Sequence, residues 1–588
     1  MRQIMRTPLV VLCVIPALVG AQRVEWPVYG GDAGASKYST LAQIDRNNVA
    51  QLAVAWRWRT GEAPIRTSDS TVAARPGNSQ ATPLMIGDTL FFSTPYDRVV
   101  AMDATTGRAF WTYDPAAYKS GQPSNGTGFV HRGVATWTDG TQRRVFMNSR
   151  WNLIALDAAT GQPIRSFGDT GVVDLTAQLR RAVRKTHYTN TSPPVVYQDL
   201  VIVGNGVGDR LRYQNDPPGD VQAFDVRTGK RVWSCHTIPD SSEFGVNTWK
   251  DGSWRTTGHI THHGLWDYDP PAPPVLDTIH VAGERIDAVA VPTKMGYLFV
   301  FDRVSGKPVW PIVERAVPRS DVTGEATSRT QPVPTLPAPF AVQGFSEDDA
   351  ADFTPEIKQR AVEVLRRYRF GALYTPPSMQ GTIVMPGAIG GSGWGGGTFD
   401  PSSGIIYIKA TNSPVMYRIF KNNAPSDTID VPYTADLPGS SVSESVETSS
   451  ARAPARGTTI PLNKPPYGTL VAINLNTGTQ LWNIPFGDTP EIRKIPMPKG
   501  VALPPLLGVA GAPGPIVTNG GLLFVSGGGS VLHAIDKMSG KTLWSFDLDK
   551  EAYSVPMTYR TARGTRYVVV ATGAGGEAEL VAFALPGK

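Results

Sequence analysis

One short frame, repeated along the chain, restricts what this sequence can fold into more than any other feature. It reads apolar, any residue, Asp or Asn, two residues, Thr or Ser, Gly, three residues, Trp. The copies are Ala101 to Trp111 (AMDATTGRAFW), Ala223 to Trp233 (AFDVRTGKRVW), Val471 to Trp482 (VAINLNTGTQLW) and Ala534 to Trp544 (AIDKMSGKTLW), with looser ones at Ala155 (ALDAATGQPIR) and Val300 (VFDRVSGKPVW). Each position has a local reason. An apolar run ends at an Asp or Asn whose side chain accepts backbone N–H bonds from the turn that follows, and the Gly supplies positive φ. A second strand then ends on an indole. The unit is a β-hairpin with an aromatic anchor.

A single hairpin of this kind cannot bury its own faces, so neighbouring units must stack, and a ring protects most of the edges. The Asp or Asn positions are 103, 157, 225, 302, 474 and 536. Repeats at this spacing indicate a propeller, with one long interruption between 302 and 474. All 588 residues then belong to one architecture, although length alone would suggest several domains. A 41% hydrophobic content with 60 Gly, 50 Pro and 14 Trp suits a loop-rich all-β chain, and 18% charged residues argue against disorder.

Residues 1–21 carry Arg2 and Arg6, an apolar run from Leu9 to Val19 broken by Pro16, and then Gly20 and Ala21. This is the pattern of a secretory signal cut after Ala21, leaving 22–588 as the mature propeller with no transmembrane segment. Cleavage leaves Cys235 as the one cysteine, so the mature chain has no internal disulfide. There is no CxxCH for covalent haem. Loss of Arg2 and Arg6 lowers the formal charge from +6 to +4, and no basic cluster points to nucleic acid.

Two stretches interrupt the strand and turn rhythm. Pro311 to Pro377 contains one helix candidate, Thr354 to Arg369, opened by Thr354-Pro355 with Glu356 in the first turn. Asn422 to Pro466 is rich in Ser, Thr and Pro and reads as an excursion on one face of the ring. Between them, Gly390 to Gly397 (GGSGWGGG) lacks the Lys and the strand-to-helix setting of a phosphate loop, and reads as a tight loop.

Together with HHGLWDYDPPAPP, PTKMGYLFVFDR, GDAGASKYS and ALYTPPSMQGTIVMPG, these repeats resemble the quinoprotein dehydrogenases that use pyrroloquinoline quinone (PQQ), especially their sugar and polyol branch. The resemblance implies an eight-bladed propeller with PQQ and a calcium ion near the axis, acting in the periplasm on an alcohol or sugar. Electrons would leave through a separate cytochrome c or ubiquinone. It also assigns residues. Gln80, Thr191 and Asn412 match polar contacts to the cofactor, and Arg132 matches an arginine at its acidic edge, where a planar bidentate donor suits carboxylates. Asp209 matches the acidic calcium ligand. Lys294 matches the lysine near the reactive quinone oxygen, where its charge would stabilise the anion that forms.

Three departures accompany the likeness. The family's proton-accepting aspartate falls at Gly264, so His263, Asp267 or Asp269 would have to serve instead. The stretch from Pro239 to His259 is short by most of one blade, and neither Trp249 nor Trp254 stands in the motif that places a tryptophan under the cofactor. The adjacent cysteines of the methanol-oxidising branch are absent. The expected activity is therefore a PQQ- and calcium-dependent oxidation of a sugar, polyol or secondary alcohol. The alternative is a degenerate propeller that has become a non-catalytic binding scaffold.

Overall fold

The computed structural model describes residues 22–66, 72–206, 216–237, 264–423, 433–435, 460–497 and 501–587. All six copies of the repeated turn close in the same way. Asp103, Asp157, Asp225, Asp302 and Asp536 each accept N–H bonds from the residues two and three positions on, at 2.7–3.1 Å. Asn474 accepts one from Asn476 at 2.8 Å. The glycine that follows has φ between +70° and +72° in every copy, a conformation closed to most side chains. In the four full copies the Trp faces the Ala two positions before the Asp or Asn: Ala101 with Trp111, Ala223 with Trp233, Ala472 with Trp482 and Ala534 with Trp544.

These hairpins grow into antiparallel sheets arranged in chain order. The first four span 84–113, 135–174, 195–235 and 275–302, the fourth having three strands; the fifth and sixth span 397–485 and 516–547. The seventh takes three strands from Met557–Arg560, Arg566–Thr572 and Glu579–Ala584 and its outer strand, Ala53–Arg59, from the other end of the chain. That strand runs antiparallel to Glu579–Ala584, with Ala53 opposite Ala584 and Arg59 opposite Glu579, and closes the ring. Apolar cores lie between neighbouring sheets. Leu84, Phe91 and Val99 of the first meet Val145, Met147 and Ile154 of the second, for example, and all are buried.

The conserved frame of the turn also joins one sheet to the next. A Cβ at Gly107, in the first sheet, would lie 2.8 Å from the Trp56 ring of the seventh. At Gly161, in the second, it would lie 2.6 Å from the Trp111 ring of the first, and at Gly478, in the fifth, 3.1 Å from Trp310 of the fourth. Each indole lies over the bare glycine of the following blade. The second copy carries Arg165 in place of Trp, and there Gly229 of the third sheet is covered by Val173 and Gly168 instead. Between the third and fourth sheets the contact is missing. Among the described residues Gly306 has no atom within 4 Å of a Cβ, and Trp233, which would cover it, is 38% exposed beside Val232 at 55%.

The ring therefore has seven blades, not the eight that the resemblance implied, and the joint without a Trp-to-Gly contact falls where the sequence is short. Among the described residues no further sheet lies between Arg231–Cys235, the last strand of the third sheet, and Val275–Val281, the first of the fourth. Residues 1–21, where a secretory signal was expected, and the stretch from Pro239 to His259 lie outside the described residues.

The helix forms over Pro355–Leu365, shorter than the Thr354 to Arg369 expectation. Thr354 caps it by accepting from Ile357 N at 3.1 Å, as its position before Pro355 requires. It buries Ile357, Ala361, Val364 and Leu365 against Phe345, Ile383, Leu462 and Leu507. No helix among the described residues is long and apolar enough to cross a membrane.

Candidate functional site

The entry segments of the first three sheets are laced together by their backbones: Thr82 N bonds Arg132 O at 2.9 Å and Arg132 N bonds Thr191 O at 3.0 Å. This brings three of the expected residues into one neighbourhood. Arg132 Nη1 donates to Thr191 Oγ1 at 2.8 Å, and Gln80 lies two residues before Thr82. The neighbouring His131 locks the segment, with ring nitrogens 3.1 Å from Ser93 Oγ and Asn148 Oδ1; burial lowers its pKa to about 4, so it is neutral.

Arg132 carries a charge without a counter-charge. It has no ion pair among the described residues, its Nε is buried without a hydrogen-bond partner, and burial lowers its pKa to about 10. Gln80 is buried as well, and its Oε1 has no partner. Buried polar groups are normally satisfied, and an unpaired cation is costly to bury, so these orphaned groups are ones that a ligand would satisfy.

Trp394, which sequence reasoning left inside an unremarkable glycine loop, lies under the guanidinium at 4.5 Å from its ring centroid. A lone indole inside a glycine run was the available signal. The glycines themselves allow neighbouring loops to meet without side chains between them. A Cβ at Gly390 would fall 2.3 Å from Lys294 Cγ, and one at Gly395 would fall 2.1 Å from Gly514 N. Gly391 N also bonds Lys294 O at 2.6 Å. One loop thus runs from Lys294 to the Trp394 ring beneath Arg132.

Lys294 occupies the hairpin turn between Glu284–Pro292 and Leu298–Asp302, held by Thr293, whose N and Oγ1 both donate to Tyr297 O at 3.0 and 2.8 Å. Its side chain is 11% exposed, and its Nζ lies 2.6 Å from Asp269 Oδ1 and 3.3 Å from Asp267 Oδ2. Burial would lower the ammonium's pKa, but the two carboxylates outweigh it and hold it above the ordinary lysine value.

The other expected residues are placed differently. Asn412 spends its side chain inside the protein, Oδ1 accepting from Val342 N at 3.0 Å and Nδ2 donating to Pro466 O at 3.1 Å, so it braces loops from within. Asp209 and His263 lie outside the described residues. Among the described residues no three His, Cys, Asp or Glu side chains converge in a way that could hold a metal ion.

The propeller, with Arg132 and Lys294 joined through one glycine-rich loop, defines a class, and comparison with known proteins gives it a name. The profile described as PQQ: glucose/ethanol/alcohol dehydrogenase, β-propeller domain, matches residues 26–261 and 257–568, and the chain belongs to this family of PQQ-dependent alcohol and sugar dehydrogenases. It is 28% identical to the quinate/shikimate dehydrogenase (quinone) of Acinetobacter baylyi, covering 96% of this chain and 78% of that protein. It is 29% identical to quinoprotein glucose dehydrogenase A of Acinetobacter calcoaceticus, covering 97% and 80%. The fold resembles that of the quinohemoprotein alcohol dehydrogenase from Comamonas testosteroni, with a TM-score of 0.64 at 21% identity, covering 97% of this chain and 82% of the other.

Proposed function

We propose that this chain is a periplasmic, calcium-requiring PQQ dehydrogenase that oxidises a polyhydroxylated substrate such as a sugar, polyol or hydroxylated ring acid. Electrons pass to a separate cytochrome c or ubiquinone. The observation that carries the proposal is Arg132: a partly buried guanidinium with an orphaned Nε, stacked on Trp394, in a segment whose backbone is bonded to the strand entry that also carries Gln80 with its orphaned Oε1. PQQ is a planar polycarboxylate, and these residues fit it. Its carboxylates would give Arg132 the missing counter-charge, while Gln80 and Thr191 would offer polar contacts. When bound, PQQ supplies a quinone that accepts hydride.

Lys294 presents a positive charge held in place by two carboxylates and a tight turn. Such a preorganised charge favours the developing anion without reorganising during reaction. The calcium requirement rests on the match of Asp209 to the family's ligand and on the acidic cofactor, and export rests on the signal sequence at 1–21.

The test is reconstitution of the mature protein with PQQ, with and without calcium, followed by absorbance of the bound quinone and dye reduction with quinate, glucose and glycerol. Stoichiometric binding that needs calcium and weakens at least tenfold in Arg132→Met is expected. A folded protein that takes up no PQQ would overturn the proposal and favour the scaffold.

A further inference from the structure

The segment that faces Lys294 has two unlike sides. Trp266 and Tyr268 point inward, 1% and 2% exposed, in a cluster with Tyr374, Val384 and Tyr417. Both are tethered: Trp266 Nε1 donates to Thr375 O at 2.8 Å and Tyr268 OH to Pro386 O at 2.8 Å. Tyr417 OH is spent on Trp266 O at 3.3 Å. Asp267 and Asp269 lie on the other side, where both reach Lys294 Nζ.

The two carboxylates are not equivalent. Asp267 is 29% exposed and lies at φ +59°, a conformation that costs a non-glycine residue energy and persists only where its surroundings hold it. Asp269 is 47% exposed; its Oδ1 takes the lysine, and its Oδ2 makes no hydrogen bond among the described residues. Two carboxylates share one ammonium, and Asp269 is the more exposed of the two. Gly264, two residues before Trp266, has no side chain to contribute.

We infer that Asp269 is the proton acceptor for the substrate hydroxyl and that Asp267 is a positioning residue that holds Lys294. The inference rests on the dehydrogenase proposal above. Removing hydride from a carbinol carbon requires the hydroxyl proton to leave to a base within hydrogen-bond reach. In the balanced step the O–H bond breaks and its proton goes to Asp269 Oδ2. The freed electron pair forms the second C–O bond, and the C–H hydrogen leaves with its pair to the quinone acceptor, giving the carbonyl product.

The test uses the PQQ-loaded full mature chain, its Asp269→Asn, Asp269→Glu and Asp267→Asn variants, and a substrate that the wild type oxidises. PQQ absorbance, thermal unfolding midpoint, kcat and KM are measured separately. Asp269→Asn is expected to bind PQQ as wild type does and to unfold at the same temperature, while kcat falls by about 100-fold or more with KM changed less than about threefold. Asp269→Glu is expected to recover about a tenth of wild-type kcat or more, and Asp267→Asn to lose about tenfold. Asp269→Asn within about threefold of wild-type kcat would overturn the assignment, as would a larger loss in Asp267→Asn than in Asp269→Asn. Failure of the wild type to bind PQQ would instead overturn the proposed function itself.

Discussion

The joint between the first and second blades and the joint between the third and fourth are made from the same sequence frame and end up opposite in structure. In the first, Trp111 lies over Gly161 and donates its Nε1–H to Ala158 O at 3.1 Å. In the second, Trp233 is exposed and Gly306 lies bare. The Asp turn and the left-handed glycine are intact in both, so the local hairpin does not depend on its neighbour. What the tryptophan adds is a bond between blades. The comparison separates the part of the frame that makes a hairpin from the part that makes a ring.

The strongest way to break the comparison is a methyl group. Gly161→Ala is expected to destabilise by about 3 kcal/mol, from ~1 kcal/mol of left-handed backbone cost and ~2 kcal/mol of overpacking against Trp111. Gly306→Ala bears only the first, about 1 kcal/mol. Urea denaturation of both variants checks this, and equal losses would show that the two joints are alike. Next, Trp111→Ala is expected to cost about 2–3 kcal/mol, whereas Trp233→Ala costs under about 1 kcal/mol.

A third difference is visible through pH. The closed joint holds Asp97, from the first blade, against Ser149 Oγ of the second at 2.8 Å. Burial drives its carboxyl up to about 8, despite Ser149 and Arg150, which lower it. The native state then keeps a proton that the unfolded state has lost. Stability from this group is complete below about pH 4 and is lost as pH approaches 8. Asp97→Asn should flatten that slope in denaturation curves taken across the interval. The smallest effect is expected at the open joint: Cys235, exposed on the last strand of the third blade, should react with a maleimide in the native protein and shift the unfolding midpoint by less than about 1 °C.

What the sequence made legible was local. The Asp and Gly of each turn and the Thr354 cap are decided within a few residues, and the chain spells them out. The number of blades was not legible, because it depends on whether Trp233 meets a glycine about seventy residues away, which the frame itself cannot reveal. Arg132 and Thr191 could be paired only through the resemblance, since 59 positions separate them, and Trp394 beneath Arg132 is 262 positions away in the chain. Asn412 shows the converse: its position matched a cofactor contact, yet both side-chain atoms are engaged by the backbone of 342 and 466.

The seventh blade joins Ala53–Arg59 to Glu579–Ala584, so strands far apart in the sequence share one sheet. During synthesis Ala53–Arg59 is made before every other strand of that blade and cannot pair until Glu579–Ala584 follows. The intervening blades can form as an open arc while the early strand waits, its hydrogen-bonding edge without a mate. Such a topology has high contact order and folds late, and during that interval the waiting strand is the part most in need of a chaperone's protection.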